Sequence, residues 1–167
     1  MKMIFRQRIA ASVAVSAVVC VGQICFAAEP SADAAFVGKV SQGGRYEVDA
    51  SKLAEQRAAA PDVRDLATTE VHDHELVNAK LKKLADAAGI PVAPEPNSMF
   101  RQRLEKLRAT PAKDFDAAYI EGMKQIHDKD EKLFAQEAVE GTGDFKPFAH
   151  ETDLIVKRHI GALGASD

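Results

Sequence analysis

The sequence predicts an all-α protein, an antiparallel four-helix bundle with one long crossover, on three observations. Apolar residues recur at helical spacing through four long segments. Proline, glycine or a capping side chain bounds these segments. No alternating segment flanked by hairpin turns interrupts them.

The chain begins with Lys2, Arg6 and Arg8 ahead of an apolar run from Ile9 to Val21, then Gly22-Gln23 and a small-residue end. This is the pattern of a secretory signal peptide. Cleavage after Ala27 places Cys25 and Ala27 at the two small-residue subsites, so residues 1–27 are expected to be removed and residues 28–167 to form one domain. Val19 before Cys20 and Ile24 before Cys25 are too large for a lipidation site. The apolar run, broken at Gly22 and Gln23, falls short of the roughly 20 residues a membrane span needs. The expected location is the periplasm, with full secretion as the alternative.

The first long helix is expected from Ser31 or Asp33, either of which can cap it, to about Ala59. Its apolar face carries Phe36, Val37, Val40, Val48 and Leu53, and Gly43-Gly44 gives a kink or a close contact. Ala60-Pro61 breaks the chain, and Pro61 suits the first turn of a second helix that runs to Ala88 and stops at Gly89. The prolines of Ile90–Pro96 make an extended crossover. A short basic helix, Ser98 to Ala109 with Asn97 as cap, is expected across one end of the bundle. Thr110-Pro111 should open the third long helix, which reaches Glu140 on a stripe wide enough for two neighbours: Phe115, Tyr119, Ile126 and Leu133 beside Ile120, Met123, His127 and Phe134. Gly141-Thr142-Gly143 ends it, Asp144 can cap the fourth, and Phe148, Ile155, Val156 and Ile160 carry that one to about Leu163. Short links within each pair and a long link between the pairs fit the bundle with one crossover.

Composition removes several functions. Both cysteines lie in the leader, leaving no disulfide or thiolate ligand in the exported part. Loss of three basic residues moves the formal charge from −3 to −6, which argues against a nucleic-acid partner. Low aromatic content without Trp argues against a sugar or base platform. Gly-x-Ser-x-Gly and a Gly-rich phosphate loop are both missing, so no catalytic residue is assigned. The charged run Asp128–Lys132 reads as a solvated face.

Five polar residues interrupt the apolar stripes near the middle of their helices: Glu47, Glu70, His74, His127 and His159. His72 and His150 point away from the stripes and should be at the surface. Imidazole with carboxylate suits a divalent transition metal, and bundle cores host such sites. A di-iron centre needs Glu-x-x-His on two helices, yet Val71, Lys124 and Val156 stand three residues before the core histidines. A mononuclear site with Glu47 or Glu70, and Met123 one turn before His127, remains open. So does a packing network in which neutral histidines satisfy the two carboxylates, and a site for a small ligand or a pH response.

At these residues the chain resembles the exported bacterial family named domain of unknown function 4142. The segments that carry the resemblance are Phe36 with Gly43-Gly44-Arg45-Tyr46-Glu47-Val48, then Val71-His72-Asp73-His74 with Asn78 and Leu81. Phe115-Asp116-Ala117-Ala118-Tyr119 with Met123, His127 and Leu133-Phe134 follow, and Thr152 with His159-Ile160 closes the series. The chain departs from the family at Ile126-His127-Asp128, where Asp-His is common, and at Asp153-Leu154, where Leu-Pro is common. The resemblance implies a ferritin-like bundle and a stress-related setting, and it implies no established activity; fold alone does not transfer function.

Overall fold

The computed structural model describes residues 31–165, so the expected leader and its cleavage point lie outside the described residues. The described chain is all-helical, in the order α1 Ala32–Arg57, α2 Pro61–Ala88, α3 Ser98–Ala109, α4 Ala112–Glu140 and α5 Phe145–Ala165, with no strand among the described residues. None of these helices is long and apolar enough to cross a membrane.

Local chemistry sets most of the boundaries. Ser31, not Asp33, caps α1, its hydroxyl accepting from Ala34 N at 3.2 Å. Asp33 turns instead to the α4–α5 link, where it accepts from the backbone N–H and the hydroxyl of Thr142. Pro61 occupies the first position of α2, and Gly89 ends that helix at φ 67°, a left-handed conformation that only glycine adopts without penalty. Asn97 caps α3 by accepting from Phe100 N at 3.0 Å. Thr110 departs from expectation. Its hydroxyl donates back to Lys106 O at 3.0 Å, satisfying a carbonyl left open at the end of α3, and Pro111 enters α4 without a side-chain cap.

The short helix also departs from its expected place. Phe100 stacks on Tyr46 with ring centroids 5.3 Å apart, and Leu107 O lies 3.4 Å from the guanidinium of Arg57. Contacts therefore advance in step along α1 and α3, so α3 runs beside α1 and against α4, not across an end. Its Phe100–Leu104–Leu107 stripe needs an apolar partner of equal length, which the flank of α1 supplies. Gln42 and Arg45 of α1 hold the crossover in place by donating to Glu95 O and Pro94 O.

The buried apolar residues form two clusters. One joins Tyr46, Ala50 and Ala54 of α1 with Val63 to Ala67 of α2, Phe115 to Ile126 of α4 and Leu163 of α5. The other joins Phe36 to Val40, Val77 to Ala85, Phe134, and Phe145 to Val156. Glu70, His74, His127 and His159 fall between the two in sequence on α2, α4 and α5, and Glu47 lies beside Tyr46 at the near edge of the first on α1, so a polar layer separates two apolar ones.

Candidate metal centre

α2 supplies Glu70 and His74, one turn apart on its buried face, α4 supplies His127, and α5 supplies His159. All four are at most 3 % exposed. One ligand atom from each lies within 4.8 Å of the other three. Glu70 Oε2 is the hub, 3.0 Å from His74 Nε2, 3.3 Å from His127 Nε2 and 3.1 Å from His159 Nδ1. His127 Nε2 and His159 Nδ1 are 3.2 Å apart.

The other nitrogen of each ring is occupied. His127 Nδ1 donates to Met123 O at 3.0 Å, its own helix supplying the acceptor. His159 Nε2 donates to Asp73 Oδ2 at 2.8 Å, and Arg158 holds that carboxylate from the outside. His74 Nδ1 faces Glu47 Oε2 at 3.3 Å. An imidazole whose outer nitrogen carries the proton presents a lone pair on its inner one. Three inner lone pairs and a carboxylate oxygen thus converge on one point.

Hydrogen bonding does not explain that convergence. Both oxygens of Glu70 and Nε2 of His74 are buried without a hydrogen bond of proper geometry, despite the short distances. Four ligands at about 2.0–2.1 Å from one ion stand about 3.3 Å from each other in a tetrahedron. Four of the six separations, three around Glu70 Oε2 and one between His127 and His159, have that scale, and the other two are at most 4.8 Å. The residues therefore fit a metal ion by donor type, spacing and orphaned acceptors.

The charges fit as well. Burial pushes the Glu70 carboxyl up, but His127, His159 and His74 outweigh it and hold it well below the usual carboxylate range. Burial lowers His74, with Glu70 only partly restoring it and the neighbouring histidines lowering it further. For His127 the same burial is overcome by Glu70 and the Met123 carbonyl, and its pKa rises. Burial also raises Glu47 well above normal, reinforced by the carboxyls of Asp130 and Glu70, so Glu47 is the neutral carboxyl of the layer.

Of the five residues singled out from the sequence, Glu70, His74, His127 and His159 come together at one point. Glu47 stands behind the rings, against His74 and 3.6 Å from His127 Nδ1. Met123 contributes its backbone carbonyl, while its side chain is wholly buried in apolar surroundings. His72 and His150 are exposed, as expected. Two residues were missed. Asp73 reads as a surface acid between His72 and His74; its signal was the aromatic-sized neighbour it serves on another helix, which spacing within α2 does not reveal. Asp130 was read as part of a solvated run, yet it turns inward to hydrogen-bond with Glu47.

Fold and site together define a helical protein with a buried histidine–carboxylate cluster between two apolar layers. The chain belongs to the family described as "Domain of unknown function (DUF4142)", whose model matches residues 24–165. Among solved structures it is similar to a DUF305 fragment from Deinococcus radiodurans, at 12% identity and TM-score 0.72, covering 81% of this chain and 95% of that one. It is also similar to a DUF305 protein from Streptomyces coelicolor to which secretion is ascribed, at 18% identity and TM-score 0.68, covering 80% and 88%. At these identities the likeness is one of fold. No curated protein matches the chain.

Proposed function

We propose that this is an exported, periplasmic metal-binding protein of ferritin-like build, holding one divalent transition metal on Glu70 Oε2, His74 Nε2, His127 Nε2 and His159 Nδ1. The observation that carries the reading is the division of labour within each ring: one nitrogen faces an outer acceptor and the other lies near Glu70 Oε2, while both Glu70 oxygens and His74 Nε2 are buried without a hydrogen bond. Three imidazoles with a carboxylate suit Zn, Cu, Ni, Fe or Mn. For a tetrahedral ion such as Zn all four positions would come from protein, as in closed sites, and no catalysis is assigned. In this reading Asp73 and Glu47 orient the rings of His159 and His74.

The ferritin-like part of the proposal is supported by the clusters. Each collects the early residues of two long helices and the late residues of the other two, as an antiparallel bundle with one long crossover requires. The export part rests on the leader read from the sequence, and a stress-related setting rests on the family resemblance alone.

A second reading has its own support. The 3.2 Å contact between His127 Nε2 and His159 Nδ1 is a hydrogen bond when one of the two carries a proton, so the cluster can close as a packing network in an interaction protein without metal. Elemental analysis of the protein isolated from the periplasm without an affinity tag separates the two. The metal reading expects about one equivalent in the wild type and less than about a tenth of that in His74→Ala and His127→Ala. Sub-stoichiometric metal together with no thermal shift on adding Zn, Cu, Ni, Fe or Mn would sink it. The network reading expects both substitutions to destabilise the metal-free protein by about 1–3 kcal/mol, because Glu70 and Glu47 lose their partners.

A further inference from the structure

A second cavity lies outside the metal centre, between α1, α4 and the start of α3, with a volume of about 480 Å³. Its apolar wall is Phe100, Ile126 and Leu133, and Met99 stands half exposed beside them. Lys39, Lys129 and Lys132 also line it, together with Arg103. Arg103 is committed to Gln125 and to the face of Tyr46. Gln42 and Asn97, which could offer polar groups, are spent on the crossover and on the cap of α3.

Several basic side chains of the described residues have an acidic partner: Lys52 pairs with Glu75, Lys80 with Glu151, Lys82 with Asp86, Lys157 with Asp153, and Arg158 with Asp73. Among the described residues no salt bridge takes Lys39, Lys129 or Lys132, although Lys129 acts on the charge of Asp130. The one carboxyl in the wall, Asp130, is engaged with Glu47. Three ammonium groups against the single carboxyl of Asp130, beside an apolar wall, are complementary to an anionic head on an apolar body.

We infer that this cavity binds a small amphipathic anion free in solution, a carboxylate or sulfonate whose apolar part lies on Phe100, Ile126 and Leu133 and whose charge meets Lys39, Lys129 and Lys132. The inference rests on the cavity alone and is independent of what the histidine cluster holds.

Titration of the purified protein with 8-anilino-1-naphthalenesulfonate, followed by fluorescence and calorimetry at low salt, tests it. Saturable binding of one equivalent is expected. The triple variant Lys39→Gln, Lys129→Gln, Lys132→Gln should bind at least about tenfold more weakly, whereas the neutral N-phenyl-1-naphthylamine should bind the wild type and this variant equally. Met99→Ser should weaken both probes, and circular dichroism checks that each variant is folded. Unchanged affinity of the sulfonate for the triple variant overturns the proposal. So does lysine-dependent flotation with phosphatidylglycerol vesicles in the absence of one-to-one binding in solution, which would make the patch a membrane contact.

Discussion

Glu137, near the end of α4, lies against Asp33 at the start of α1, and the two carboxyls divide one negative charge between them. Burial, then the hydrogen bond to Asp33 and the charge of Asp33, raise Glu137 to about 7. Burial acts the same way on Asp33, but Thr142 and Glu137 overcome it and keep Asp33 below its ordinary value. An unfolded chain releases the Glu137 proton near 4.5, so between that value and about 7 the folded protein binds more protons. Stability from this residue is therefore complete below the window and is lost as pH rises through it. Glu137→Gln should flatten the fall in urea-unfolding free energy between about pH 5 and about pH 7.5; an unaltered slope would remove Glu137 from the account. Asp130, raised to about 6 mainly by burial, adds a slope of the same sign that the variant keeps. At this scale the sequence was legible where a polar residue broke an apolar stripe: Glu70, His74, His127 and His159 all announce themselves that way. Asp73 and Asp130 do not, since each lies among charged neighbours and earns its place through a partner on another helix, His159 and Glu47 respectively.

α1 packs closely on α2 at Gly44. A Cβ at that position would stand 2.3 Å from Asn78 Oδ1 and 3.1 Å from Asn78 Cγ, so the amide of Asn78 occupies the space a side chain would take. Gly44→Ala should cost about 1–3 kcal/mol in chemical unfolding, by forcing the amide aside or the helices apart. Adding Asn78→Ala should recover part of that loss, because the clashing group is gone. Strict additivity of the two changes would mean that Asn78 is not the obstacle. Element boundaries were readable from Pro61, Gly89 and Asn97, residues whose backbone or side chain acts within its own helix. The direction of α3 was not, because its Phe100–Leu107 stripe states only that an apolar partner is required. Nor was the true role of Thr110, whose hydroxyl had two helices to choose between and closes the earlier one.

Across the whole molecule, Glu70, His74, His127 and His159 tie together three helices that the apolar clusters also join, so a metal held there, as proposed, would stabilise the fold. An ion held only by the folded chain adds about 2.7 kcal/mol at a free concentration about 100 times Kd. Addition of the bound metal to chelated protein should therefore raise Tm by roughly 5–10 °C, and Glu70→Gln should abolish most of the increment; an equal increment in that variant would mean binding elsewhere. The all-helical class was legible from periodicity alone, whereas the meeting of Glu70 Oε2 with three ring nitrogens was not, because spacing along a helix fixes a face and leaves the distance across the core open. The order of the ligands along the chain has a consequence in time. Glu70 and His74 emerge early, but the last ligand is His159, close to the end of the described chain. No partial set can form the site, so the ion is chosen only where the complete polypeptide folds. If the chain is exported unfolded and the site takes a metal, as proposed, the metal pool on the far side, rather than the affinity order of the donors, would decide which ion is taken.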